Sequence, residues 1–346
     1  MVFWLRREDV YCPAQALKIK SGAGMKPRRA LLLSGGGAKG AFQAGALRYI
    51  GEVEATTGPS VTPYFDVVSG VSVGTLNGVL VAQNRMDVLN DLWRTLSRTD
   101  IFRGGGVSGV FRQFLTRKGS LLDNGPLKEV ICKNADLATV QASGTDLMFG
   151  AVSLATGEYY SFHASDFDDE QEFHRALLAS ASIPVVCPPV EMVRTRTGEE
   201  FTNLVDGGVR NARPLGRVLD LDPDEVVIIN CNSTRFITEP CRPSRTIRIA
   251  LRLLTEVTLH ELFRRDVREF EDINALVTSA PPGISLKRKD GRVYRYVSGI
   301  VIEPSGIAED SMDFSRTAID RQLEAGYLAA RHAFDVFRKT SSLGNE

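Results

Sequence analysis

Short unbroken apolar runs alternate along the chain with longer stretches whose apolar residues recur every three or four positions. Residues 29–33 (RALLL) form one such run, halted by glycines. This is the pattern of a strand buried on both faces of a parallel sheet. AFQAGALRYIGEVEA follows with helical spacing, then a Thr/Gly/Pro turn over 56–63. A second buried strand is expected in YFDVVSG, and a helix from about Thr75 to Ala82. Strand, helix, strand, helix at this spacing predicts βαβ units and a mainly parallel sheet.

Further strands are expected at DLMFGAVSL, EYYSFHA and EVVIINCN. ASIPVVCPPV carries three prolines and should be irregular or edge-like. Helical spacing returns from Pro243 to about Thr278, and SMDFSRTAIDRQLEAGYLAARHAFDVFRK predicts a long closing helix. Residues 101–125, glycine-rich with basic and aromatic residues between, read as a lid or as a plain surface connection. The expected organisation is a leader over 1–27, an α/β core over 28–235, and a mostly helical C-terminal extension over 236–346 packed on that core.

Composition changes little. The 346 residues are 43% hydrophobic and 24% charged, enough apolar material for a large core. Lys+Arg and Asp+Glu both total 42, so no global field argues for nucleic acid. Five cysteines without a CxxC pair suggest free thiols in a reducing cytosol, neither a disulfide framework nor a zinc site. The first twenty residues lack the apolar run of a signal peptide, and no later segment reaches a membrane span. The expectation is a cytoplasmic protein that meets lipid, if at all, as a peripheral visitor.

Candidate chemistry gathers at three glycine-rich points. Gly70-Val71-Ser72-Val73-Gly74 has the G-x-S-x-G form. A sharp turn between strand and helix pushes such a serine into an exposed, strained position, and flanking glycines avoid collision with neighbouring backbone. Alone the motif is short enough to arise by chance; the strand before it and the helix after it give it weight.

Gly35, Gly36, Gly37, Ala38, Lys39 and Gly40 form a second strand-to-helix loop, whose backbone N–H groups suit negative charge. A dinucleotide pyrophosphate or the oxyanion of acyl transfer would both fit. The nucleotide reading needs an acidic residue ending the next strand, but that strand ends Val67-Val68-Ser69-Gly70 and delivers Ser72. No Gly-Lys-Ser/Thr follows either, so the oxyanion reading is preferred. A non-catalytic nucleotide- or partner-binding α/β protein stays as the alternative from another class.

The third point is Asp206-Gly207-Gly208, ending a short apolar segment. Asp-Gly-Gly is commonly a turn, and its interest lies in the search for a base for Ser72. His163, His174, His260 and His332 are the chain's histidines, and none falls in a plausible catalytic loop. A Ser72–Asp206 dyad fits better, although a carboxylate of ordinary pKa near 3.9 is a feeble base.

Taken in order, these stretches resemble the patatin-like phospholipase family. They are Ser34-Gly35-Gly36-Gly37-Ala38-Lys39-Gly40, the elbow Gly70 to Gly74, and Asp206-Gly207-Gly208, with secondary likeness in ALLASASIPVVCPPV and DFSRTAIDRQLEAGY. The resemblance implies a three-layer α/β/α fold, a Ser72–Asp206 dyad and an oxyanion hole from the Gly35–Gly40 backbone. It also implies phospholipase A or lysophospholipase activity without a metal or other cofactor, on a phospholipid or other lipid ester. A triacylglycerol lipase or acyltransferase using the same dyad is the alternative within that chemistry. Lys39 stands where many members carry Arg, and Ser34 where others carry Asp, a change expected to bear on loop support.

Two basic stretches are candidates for a membrane surface. Arg242, Arg245, Arg248 and Arg252 share a helical face, and Lys287, Arg288, Lys289, Arg292 and Arg295 cluster near Tyr294 and Tyr296. A solvated face balanced by nearby carboxylates is the alternative.

Overall fold

A computed structural model describes residues 27–54, 63–103, 122–210, 214–233, 257–305 and 310–343. The leader, most of the 101–125 segment and the Arg242–Arg252 stretch lie outside the described residues.

In chain order the main elements begin with β1 (Arg29–Leu33), α1 (Gly40–Tyr49), β2 (Val67–Gly70), α2 (Val73–Ala82), α3 (Leu89–Thr95) and α4 (Arg98–Ile101). Next come α5 (Gly125–Asn134), α6 (Leu137–Ala142), β3 (Asp146–Ser153), β4 (Tyr159–His163) and α7 (Glu170–Ser180). The last are β5 (Val190–Arg194), β6 (Glu200–Asp206), α8 (Pro214–Leu219), β7 (Glu225–Ile229), α9 (Thr258–Ser279), β8 (Ser298–Ile302) and α10 (Arg316–Leu343).

One mixed sheet runs β5-β6-β3-β2-β1-β7-β8, with β4 also paired to β3. β3, β2, β1, β7 and β8 are mutually parallel, and β4, β5 and β6 join by antiparallel pairing. Successive side chains of β1 alternate between the sheet faces. Leu31 and Leu33 join the larger core beneath α1, α2, α5, α7 and α10, while Ala30 and Leu32 join a smaller one with α8 and α9. The expected three-layer α/β/α fold is therefore present.

The C-terminal part is built into these layers. β8 extends the sheet beside β7 in parallel register, so the expected helical extension also contains a core strand. SGIVI is too short and too evenly apolar to be told from a helix turn by periodicity. α10 crosses α1 at backbone contact: a Cβ on Gly45 would lie 1.9 Å from the Leu323 carbonyl oxygen, and one on Gly326 1.9 Å from that of Phe42. Gly45 thus serves helix–helix approach. The closing helix starts at Arg316, because residues 310–315 run irregularly across the ends of the strands towards the glycine loop.

Candidate active site

Ser72 lies two residues beyond the end of β2 and caps α2 at φ 56°, ψ −130°. A non-glycine residue in this region is strained and persists only where its surroundings hold it. Gly74 N–H donates to the Val71 carbonyl at 2.9 Å and Thr75 N–H to that of Ser72 at 2.9 Å. Side chains at the two flanking glycines would not fit: a Cβ on Gly70 would lie 2.4 Å from the Gly74 oxygen, and one on Gly74 2.5 Å from the Leu33 oxygen. The elbow expected from the sequence is formed, at the carboxyl end of the parallel strands where α/β sheets place their ligands.

Asp206 ends β6, opposite Ala151 of β3. Its N–H donates to the Ser182 carbonyl at 2.8 Å, and its Oδ1 accepts the Gly208 N–H at 2.8 Å. The Ser72 hydroxyl neighbours the same carboxylate closely enough to favour its ionised form. Both residues are 5% exposed. Burial pushes the Asp206 pKa up to about 6, against the lowering effect of Ser72 and of the Gly208 hydrogen bond. The carboxylate is thus a better base than its ordinary pKa suggests, and still mostly ionised at neutral pH. Gly207 allows the close approach, since a Cβ there would lie 2.5 Å from the Gly150 oxygen.

The glycine loop runs beside Ser72 between β1 and α1. Gly37 adopts φ 58° against the Ser311 carbonyl, whose oxygen accepts the Ala38 N–H at 2.8 Å. Lys39 N–H donates to the Gly36 oxygen at 3.1 Å, and Gly40 N–H to the oxygens of Gly37 and Ala38. Lys39 is buried, with Nζ donating to Asn232 Oδ1 at 2.9 Å. Ser34 supports the loop as expected: its Oγ accepts the Cys231 N–H at 2.8 Å.

Several supporting residues carried no signal in the sequence. Gln43 Nε2 donates to the Ser34 carbonyl at 2.8 Å, and its Oε1 accepts Asn77 Nδ2 at 2.9 Å. Asn77 Nδ2 also reaches the Gly40 carbonyl, while its Oδ1 accepts Trp93 Nε1 at 2.9 Å. This buried chain ties the helix after the glycine loop to the helix after the serine. A lone Gln or Asn inside a helical pattern does not announce such a role. Ser182, in the proline-rich stretch ahead of Asp206, holds both the Asp206 N–H and the Asn124 amide, the latter at 3.0 Å from its Oγ.

The histidines whose side chains are described stand elsewhere. His163 Nδ1 meets Asp146 Oδ1 at 2.7 Å where β3 begins, at the opposite edge of the sheet. His174 is buried with Nε2 on the Ala135 carbonyl, and His332 lies on α10. The basic stretch 287–295 also sits at that opposite edge. Arg288 pairs with Asp220, Arg292 with Asp220 at 2.9 Å, and Arg295 with Asp224 at 3.0 Å, just ahead of β7. The three arginines are met by carboxylates at the end of the sheet remote from Ser72. Among the described residues no helix is long and apolar enough to cross a membrane.

From Ser72 and Gly37 a cleft opens between α2, α3 and α5, with about 870 Å³ of empty space counting its open mouth. Apart from Asn77, Asn134 and Ser311, the side chains lining it away from Ser72 are apolar. That lining suits an apolar ligand group.

A strained serine beside a buried carboxylate, next to a glycine loop and above an apolar cleft, can perform acyl transfer. Comparison with known proteins speaks to family and fold. The family model described as patatin-like phospholipase matches residues 31–219. Among solved structures, VipD from Legionella pneumophila is similar over 90% of this chain and 67% of its own, with TM-score 0.50 and 16% identity. The type III effector protein ExoU aligns over 90% of this chain and 53% of its own, with TM-score 0.37 and 13% identity. No curated protein sequence matches. The chain thus spans about half to two thirds of these structures' lengths, and the likeness to VipD is one of fold. More than half of the chain falls within the family model, and the chain belongs to the patatin-like phospholipase family.

Proposed function

We propose that this protein is a lipid acyl hydrolase of the phospholipase A or lysophospholipase type, with Ser72 as nucleophile and Asp206 as its base. The observation that carries this reading is the strained Ser72 side by side with the buried Asp206 carboxylate, at the mouth of an apolar cleft. Asp206 accepts the hydroxyl proton as Ser72 Oγ attacks the ester carbonyl, giving a tetrahedral oxyanion. Ala38, Lys39 and Gly40 direct their N–H groups to carbonyls of the chain itself. The oxyanion donors are therefore assigned to the backbone of Gly35, Gly36 and Gly37. Collapse expels the lipid alkoxide, which takes the proton from Asp206 and leaves an acyl-serine. Water, deprotonated by the same carboxylate, then attacks the acyl-serine; fatty acid departs and Ser72 recovers its proton.

A fluorophosphonate probe tests the nucleophile directly. Wild type is expected to be labelled and Ser72→Ala not, with free fatty acid released from phosphatidylcholine liposomes by wild type alone. Labelling that survives in Ser72→Ala would sink the assignment. Transfer of the acyl group to an added alcohol in preference to water would favour the acyltransferase reading.

A further inference from the structure

We propose that the cleft beneath Ser72 is a blind acyl pocket matched to a fatty acyl chain of about eight carbons, its floor set by Leu80. The inference deepens the proposed hydrolase activity and rests on it. α2 and α5 form facing walls that start and finish together. Both start at the catalytic edge, where Asn124, the residue ahead of α5, donates to the Ser182 hydroxyl beside Asp206. Both finish at Gln83, which follows α2. Gln83 Nε2 donates to the Asn134 carbonyl at 2.9 Å, and its Oε1 accepts the Asp136 N–H at 3.2 Å. His174 Nε2 adds a contact to the Ala135 carbonyl at 2.7 Å. The two helices are thereby clamped at the end remote from Ser72, and Gln83 is buried beneath the floor.

Along α2 the lining passes from Val73 through Leu76 to Leu80, and along α5 from Leu127 to Ile131 and Asn134. Asn77 would be a polar interruption on the α2 face. Its amide is instead committed to Gly40, Gln43 and Trp93, so it offers the cleft no unsatisfied group. From Val73 to Leu80 the helix descends about 10.5 Å at its standard rise per residue. An extended saturated chain advances about 1.25 Å per carbon, from C–C bonds of ordinary length and tetrahedral angle. The depth therefore holds about eight carbons before a chain meets Leu80, level with Asn134 on the facing wall. Longer chains must turn back towards the mouth or push apart helices that Gln83 holds together.

The test is a series of p-nitrophenyl esters from butanoate to hexadecanoate on the full chain, with fluorophosphonate labelling of every variant as a separate report of a folded, reactive site. Wild-type kcat/KM is expected to peak near octanoate and to fall about tenfold or more by hexadecanoate, since each methylene forced against a full pocket is penalised. Leu80→Ala, or the milder Leu80→Val should the first fail to fold, is expected to move the optimum to longer esters. Leu80→Phe is expected to move it to shorter ones. A labelled wild type whose rates rise steadily to hexadecanoate would overturn the blind pocket, as would labelled floor variants whose optimum stays put; either leaves the hydrolase reading standing. A wild type that neither labels nor cleaves any ester would instead overturn the hydrolase reading and this inference with it.

Discussion

Ser72 and Asp206 meet along one edge of β3, the edge opposite β4. Gly70 pairs with Phe149 of β3 and Asp206 pairs with Ala151, so β2 ends two residues short of the point that β6 reaches from the other direction, and Ser72 turns off beside it. One residue sits on a parallel strand and the other on an antiparallel one. The chain thus approaches the same point from opposite directions, and each strand ends in a turn that presents its side chain. Because the side-chain period of a strand is two, a slip of one residue in either pairing would send one partner to the other face. Gly207 lacks the side chain that would otherwise press on the Gly150 carbonyl of β3.

On the proposed mechanism Asp206 acts as an anion, and burial places its pKa at about 6. The acid limb of kcat/KM against pH should therefore bend near that value, falling about tenfold per pH unit below it. A serine hydrolase working through an ordinary carboxylate would keep its activity to lower pH. Rates measured with a soluble ester, whose own ionisation does not intrude, decide between them.

The same burial has a stability consequence of opposite sense. A carboxyl group whose folded pKa is raised from 3.8 to about 6 favours folding in its protonated form. That contribution is complete at low pH and is lost as pH rises from the unfolded value through the folded one. Asp206→Asn should consequently stabilise the protein at pH 8 by up to about 3 kcal/mol, and do little at pH 4, while abolishing ester cleavage. Denaturant midpoints at the two pH values measure the difference. A destabilised variant at pH 8 would mean that the amide fails to replace the contacts with Ser72 and Gly208.

The strands β1, β2, β3, β4 and β7 were legible because each is a short apolar run between glycines, prolines or polar turns. The elbow and the glycine loop were legible because close backbone approach demands glycine at fixed spacing. Asp206 was harder, since Asp-Gly-Gly looks the same in a surface turn. What escaped was what depends on distant partners. Gln43 and Asn77 reveal themselves only when two helices are laid side by side, and β5 and β8 lack length or alternation. Ser311 acts through its backbone carbonyl on Ala38, a role no side chain encodes. The basic stretch 287–295 was visible as charge, but the aspartates that meet it come from the turn before β7.

The Gln43–Asn77–Trp93 chain links the proposed oxyanion loop to the helix that starts at Ser72. Gln43→Met preserves bulk but leaves the Ser34 carbonyl and an Asn77 amide proton without this partner in a buried setting. The cost should be about 1–3 kcal/mol in stability. If the chain positions the loop, kcat should fall well beyond what the loss of folded protein explains, with KM for a short ester little changed. An unchanged kcat per folded molecule would reduce the network to packing.

The crossing of α1 and α10 gives a prediction whose sign opposes local propensity. Gly to Ala inside a helix ordinarily stabilises by about 1 kcal/mol. At Gly45 the added methyl would meet the Leu323 carbonyl at 1.9 Å, and backbone, unlike a side-chain tip, cannot rotate away. The helices must separate, opening the contacts of Tyr49 with Tyr327 and Phe334. Overpacking of this kind costs about 1–3 kcal/mol, enough to reverse the propensity gain. Gly51→Ala is the matched control, because its methyl would sit at an ordinary 3.7 Å from Met86 Cβ. Urea midpoints should fall for Gly45→Ala and hold or rise for Gly51→Ala. Since α10 also follows the segment that meets Ala38, ester cleavage should weaken in the first variant at temperatures where it is still folded. Equal midpoints for the two variants would mean that the crossing relaxes freely and does not fix the C-terminal helix.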